Sequence, residues 1–166
     1  MDKTKSDRKW LTALQVLIAM LIPNLGGILG AVFSTNSIQG WYLTLIKPSW
    51  TPPNWLFAPV WVVLYCLMGI ASCLVYRRGG GFRDKAKWFL SIYALNLILN
   101  WCWSPVFFNA RDIYAAFILI IFILITAIIE AAAFGYISWI AGALILPYIA
   151  WLTIATSLNG WIYYNN

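Results

Sequence analysis

The 166-residue chain contains no histidine and only five acidic residues, and its charged residues make up 10% of the total. The missing imidazole removes the Ser-His-Asp and Cys-His arrangements of nucleophilic catalysis, most zinc sites and the usual axial ligand of a haem iron. The acids are scattered: Asp2, Asp7, Asp84 and Asp112 lie outside the apolar runs, and only Glu130 falls in one, so no carboxylate pair for acid–base work is in view. Cys66, Cys73 and Cys102 are odd in number and all sit in apolar stretches, which fits neither a disulfide framework nor a metal site. They read as small apolar fillers. The triple glycine at 79–81 lacks the strand–loop–helix setting of a phosphate cradle and reads as a turn.

What is abundant is hydrocarbon and aromatic surface. The chain is 63% hydrophobic with a mean hydropathy of +0.79, whereas soluble domains carry roughly 25% charged residues. It is therefore an all-α membrane protein. A span needs about 20 apolar residues, and five candidates run approximately over 10–33, 56–76, 88–108, 113–134 and 137–164. Together they form one domain, a bundle of five transmembrane helices with a loop at 34–55. The first span follows Lys3, Lys5, Arg8 and Lys9, as a secretory signal would. Its length and its interruption by Pro23, Asn24, Gly26, Gly27 and Gly30 favour a retained helix, with a cleaved signal as the alternative.

Lysine and arginine placement sets the orientation. The N-terminal tail holds four, and RRGGGFRDKAK adds Arg77, Arg78, Arg83, Lys85 and Lys87; the other side holds Lys47 and Arg111. The N-terminus is expected in the cytoplasm and the C-terminus outside. The net charge of +6 follows from this topology and from anionic lipid, so no nucleic-acid partner is needed. Glu130 falls near the inner end of the fourth span. Snorkelling to the headgroups is expected, with a ligand or relay role as the alternative.

Eleven tryptophans exceed what interfacial belts require. Trp10, Trp55, Trp88, Trp139 and Trp161 sit near span ends, as belt residues do. Trp61, Trp101, Trp103 and Trp151 lie further in. Helical spacing sorts the inner set. Asn96, Asn100, Trp103 and Phe107 share a face of the third span; Pro147, Trp151, Ala155 and Asn159 repeat every four residues on the fifth. Trp61, Tyr65, Met68 and Ser72 do the same on the second. Amides in hydrocarbon are costly unless paired, so these faces are expected to converge on an interior pocket for flat apolar ligands. The alternative is that they only pack against one another. The loop KPSWTPPNW at 47–55 cannot be helix interior; its prolines stiffen it, and it is expected to lie over the mouth of the bundle as a lid.

The blocks WYLTLIKPSWTPPNW, APVWVVLY, LNWCWSPVFFNAR and PYIAWLTIATSLN, in this order between Trp41 and Asn159, resemble the TspO or tryptophan-rich sensory proteins. These are relatives of the mitochondrial translocator protein, the peripheral-type benzodiazepine receptor. The resemblance implies a five-helix bundle, commonly a homodimer, with a ligand pocket capped by the first loop. It implies tetrapyrrole ligands (protoporphyrin IX, or haem), sterols in animal members, and synthetic isoquinoline carboxamides and benzodiazepines, with no resident cofactor and no metal. Carried over by motif, the pocket positions are Trp61, Asn100, Trp103, Trp151 and Ala155, with Trp50, Pro52 and Pro53 as the lid. The equivalents of Trp61 and Trp151 are implicated in light-dependent porphyrin breakdown in some members, which makes them the only candidates for a catalytic role. The chain departs from animal members in its end, SLNGWIYYNN, which lacks the basic residue of the proposed cholesterol motif. Gly26 and Gly30 form a GxxxG that suits either a dimer contact or packing inside the bundle.

Overall fold

The computed structural model describes the backbone of residues 3–166 and all of their side chains except those of residues 3–9 and Phe33. The expected placements of Asp2, Lys3, Lys5, Asp7, Arg8 and Lys9 lie outside the described residues. The elements are α1 (Lys3–Gln39), a short α2 (Trp41–Thr44), α3 (Asn54–Arg78), α4 (Asp84–Ser104), a π-helical turn (Pro105–Asn109), α5 (Ile113–Ile137) and α6 (Trp139–Asn165). There is no strand among the described residues. Five helices are long and apolar enough to cross a bilayer: Trp10–Val32, Asn54–Arg78, Asp84–Asn109, Ile113–Ile137 and Trp139–Asn165.

Around the bundle α1 packs on α3, α3 on α6, α6 on α5, α5 on α4, and α4 back on α1. Most apolar side chains on the rim face outward, as a lipid-immersed bundle requires, while Leu64, Met68, Leu97, Ile123, Ile145 and Leu152 fill the centre. One end of the bundle carries the 79–83 turn and its flanking bases, and is termed the basic end. The other carries the 45–53 segment and is termed the loop end.

The first loop is shorter than the expected 34–55. Ser34 and Thr35 do not stop α1, because their hydroxyls donate back to the helix's own carbonyls, Ser34 Oγ to Gly30 at 2.8 Å and Thr35 Oγ1 to Ala31 at 2.7 Å. The helix runs on to Gln39, and Ser37 Oγ fastens its last turn to the Phe108 carbonyl at 2.7 Å. Only about nine residues, 45–53, are then irregular before Asn54 opens α3 behind Pro52 and Pro53.

Glycine decides how closely α1 and α3 approach. A Cβ on Gly69 would collide with the Ala19 carbonyl, so the two backbones touch at this crossing. That carbonyl is also the one that loses its helical donor to Pro23, which has no N–H to give. A Cβ on Gly26 would collide with the Trp101 indole, and one on Gly27 would stand 2.7 Å from the Tyr65 ring. The Gly26 and Gly30 positions therefore serve packing inside the bundle.

Glu130 does not snorkel. It is fully buried, and neither carboxylate oxygen has a hydrogen-bond partner among the described residues. The expected span stopped at 134, whereas α5 continues to Ile137. That puts Glu130 about 10 Å of helix from the end, on the inward face within electrostatic reach of Tyr93 and Tyr148.

Candidate functional site

Toward the loop end the helices part and leave a cavity of about 460 Å³, within the size range of small-molecule sites. Its floor is a chain of hydrogen bonds between four helices, α3, α4, α6 and α5. Tyr65 on α3 donates to Asn100 Oδ1 at 2.6 Å; the Asn100 amide donates to Tyr148 Oη at 2.9 Å; Tyr148 donates to Asn96 Oδ1 at 2.9 Å. Asn96 completes the chain by donating to the Ile123 carbonyl at 2.9 Å and to Thr126 Oγ1 at 2.7 Å. All the amide groups of Asn96 and Asn100 are thereby paired, which is what makes them tolerable in a membrane interior.

The walls are aromatic. Trp61 leans on Tyr65 with ring centroids 5.3 Å apart and meets Tyr148 edge-on at 6.1 Å. Trp103 stacks on Phe107 at 4.9 Å and 12°, and Phe107 meets Phe108 edge-on. This cluster exists because of Pro105. Lacking an N–H, it cannot continue the α pattern, and the Ala110 N–H bonds back to the Pro105 carbonyl at 2.9 Å across a π turn. The widened turn carries Trp103, Phe107 and Phe108 toward the cavity together.

Six of the expected site residues line the cavity: Trp61, Tyr65, Asn100, Trp103, Phe107 and Ala155. Asn96 lies beneath the floor as the last member of the hydrogen-bond chain. Trp151 stands behind the wall, edge-on to the lining residue Phe57 at 5.5 Å and 69°. Pro147 is exposed on the outer surface of α6. The four-residue repeat explains that position: each step of four advances 400°, a drift of about 40°. The stripe therefore spirals from exposed Pro147 through half-buried Trp151 and Ala155 to buried Asn159.

Trp50, Pro52 and Pro53 are not part of the cavity lining; Trp50 is about half exposed. The segment they belong to is pinned from the other side. Asn166 exchanges hydrogen bonds with the Ile46 backbone, Ile46 N–H donating to Asn166 Oδ1 at 2.9 Å and Asn166 Nδ2 donating to the Ile46 carbonyl at 3.1 Å. The Lys47 ammonium donates to the carbonyls of Tyr42 at 2.6 Å and Leu45 at 3.1 Å and sits 4.5 Å from the Tyr42 ring, so it closes α2. Burial holds the Tyr42 phenol above its ordinary range, so it faces the cavity as a neutral hydroxyl.

The α1 wall was not foreseen. Asn24, Gly27, Ala31, Ser34 and Ile38 line the cavity at helical spacing, and that stripe of small and polar residues in an apolar helix was the available signal. Trp101, Tyr42, Phe57 and Asn159 are also part of the lining. Four polar groups in this region have no hydrogen-bond partner among the described residues: the indole N–H groups of Trp103 and Trp151, the Thr156 hydroxyl and the Asn159 amide. No group of three or more His, Cys, Asp or Glu side chains that could hold a metal occurs among them either.

Five apolar helices around an aromatic cavity with a paired-amide floor define a multi-pass membrane protein with an interior cavity. Residues 19–164 match the TspO/MBR family model, and the chain belongs to that family. It is 38% identical over 157 residues to the Translocator protein of Homo sapiens, covering 95% of this chain and 91% of that one. It is 37% identical over 151 residues to the Tryptophan-rich protein TspO of Archaeoglobus fulgidus, covering 90% and 96%. With the Tryptophan-rich protein TspO of Chlorobaculum tepidum the identity is 35% over 133 residues, covering 80% and 84%.

Proposed function

We propose that the protein is a membrane receptor or carrier that binds tetrapyrroles, protoporphyrin IX first among them, in the cavity at the loop end. The observation that carries this reading is the cavity itself: indole, phenol and phenyl rings from α2, α3, α4 and the π turn above a floor where the Asn96 and Asn100 amides are paired. Such a site binds a flat macrocycle by ring stacking and apolar burial, with the Trp103 N–H and Asn159 amide as the nearest groups for its polar substituents. Haem would bind chiefly by stacking. The chain has no histidine, and of the two phenols that line the cavity Tyr65 is committed to Asn100 while Tyr42 lies at the opposite, loop-end wall. The test is saturable quenching of tryptophan fluorescence by protoporphyrin IX in the dark, in detergent or nanodiscs. Linear quenching indifferent to cavity substitutions would mean partitioning into lipid and would leave a lipid- or sterol-binding scaffold as the better reading.

A second reading is light-dependent porphyrin breakdown, for which the position of Trp61 speaks. Its ring lines the cavity and contacts two oxidisable phenols. It predicts a new absorbing product on illumination in air that is lost in Trp61→Phe. Trp151 is one ring further back, and Trp151→Phe should slow the reaction less.

We place the N-terminus in the cytoplasm on the lysine and arginine count, and the protein in a prokaryotic inner membrane. Self-association as a homodimer is proposed from the family resemblance. It would use a face other than Gly26 and Gly30, which are occupied within the bundle.

A further inference from the structure

A second cleft, of about 450 Å³, lies between α1 and α3 at the basic end, lined by Thr12, Val16, Ile70, Cys73, Leu74, Arg77 and Arg78. Thr12 and Val16 are one turn apart on α1; Ile70, Leu74 and Arg77 or Arg78 repeat on α3 at the same spacing, so two helix stripes face each other across it. Its end toward the membrane centre is fixed by the crossing at Gly69 and Ala19, where the backbones touch. From that crossing the helices part, leaving an apolar trough about 10 Å long with two guanidinium groups at its outer rim.

Among the described residues no acid balances the charges at this rim. Arg78 donates to Ser138 Oγ at 2.6 Å, while Arg77 has neither a hydrogen bond nor an ion pair among the described residues. Two of the neighbouring bases are engaged elsewhere: Lys85 donates to Tyr136 Oη at 2.6 Å, and Lys87 lies 5.7 Å from the Trp88 ring. Of the described acids, exposed Asp84 lies beyond the turn, Asp112 caps the start of α5, and Glu130 is buried in the bundle. An arginine presents a planar fork that takes a phosphate in two parallel hydrogen bonds. Basic clefts between transmembrane helices suit anionic lipid headgroups.

We propose that this cleft is a binding site for one anionic phospholipid. Arg77 takes the phosphate, Arg78 adds charge at the rim, and the first part of one acyl chain lies along Val16, Ile70 and Leu74. A zwitterionic choline lipid fits the trough equally well but brings its own cation to the two guanidinium groups, so the site discriminates by net headgroup charge. This site is independent of the cavity at the loop end, which lies beyond the Gly69 crossing.

The experiment is native mass spectrometry of the full chain extracted from bilayers of equal phosphatidylglycerol and phosphatidylcholine. The expected result is one retained lipid per protomer with phosphatidylglycerol preferred. Arg77→Gln should reduce that preference about fivefold, the worth of one arginine beside an anionic group. Leu74→Trp, which fills the trough without touching charge, should abolish retention of the single lipid, and it carries the test if Arg77→Gln fails to fold. Lys85→Gln, an exposed base outside the cleft, should change nothing. Equal retention of the two lipids by the unaltered protein would overturn the proposal. So would a Lys85→Gln loss as large as that of Arg77→Gln, which would mean diffuse surface attraction, or unchanged retention in Leu74→Trp.

Discussion

Tyr65 on α3 and Asn100 on α4 share a 2.6 Å hydrogen bond at the floor of the aromatic cavity, and the same asparagine passes the connection on to Tyr148 of α6. One amide thus ties three helices together while remaining compatible with a hydrocarbon surround. Removing either partner strands the other inside the bundle. Tyr65→Phe should lower the unfolding free energy by about 1–2 kcal/mol, the penalty for a buried acceptor left unpaired. Thermal unfolding in a fixed detergent measures it; an unchanged midpoint would mean that the bond carries no net stability.

Ala155 offers a way to block the cavity without touching that floor. It is half-buried and contributes only a methyl group to the wall. Ala155→Phe should weaken protoporphyrin quenching by about tenfold or more through direct overlap with the ligand, while leaving the melting temperature close to that of the parent. Undiminished saturable quenching would place the ligand elsewhere.

Gly26 separates packing inside the bundle from packing between bundles. Gly26→Leu must displace the Trp101 indole, whose N–H otherwise donates to the Pro23 carbonyl at 3.3 Å. The variant should lose about 1–3 kcal/mol of stability, as overpacked cores do, and alter quenching by porphyrin. Its oligomeric state, read by cross-linking, should be unchanged.

Glu130 has both oxygens buried without a hydrogen-bond partner among the described residues. Replacing a polar group so placed by an apolar one of similar volume removes a desolvation cost. Glu130→Met should therefore raise the melting midpoint, by an amount corresponding to about 1–2 kcal/mol. A fall in the midpoint would indicate that the carboxyl has a partner in the membrane-embedded protein.

Asn166 holds the 45–53 segment through its two bonds to Ile46. Asn166→Ala should speed amide hydrogen exchange in residues 45–53 without changing exchange in α3. If the segment also gates the cavity, the same change accelerates porphyrin release; exchange and release rates together decide whether pinning and gating are linked.

The sequence by itself determined the number of spans, because a run of about 20 apolar residues has one use. It also determined which polar residues turn inward: Asn96, Asn100 and Asn159 are all buried, since an unpaired amide facing lipid is too costly. Other features depended on neighbours that no local pattern names. Hydropathy ends the first span at 33, and only the structure shows α1 continuing through Ser34 and Thr35, whose hydroxyls bond back to the Gly30 and Ala31 carbonyls. Pro147 was grouped with Trp151 because four residues approximate a turn, and the 40° error per step becomes visible only when the helix is set against α3 and α5.

The stripe of small and polar residues on α1 was a signal that this face meets something, but glycine is compatible with many helix contacts, and only the Trp101 and Tyr65 rings packed against Gly26 and Gly27 single one out. The position of Glu130 depended on three further residues of α5 and on the inward rotation of its face, both fixed by packing against α4 and α6. Hydrophobic length and the cost of burying polar groups are properties of a segment, and so can be read from it. Which face meets which neighbour is a property of the assembled bundle, and tertiary structure alone decided it.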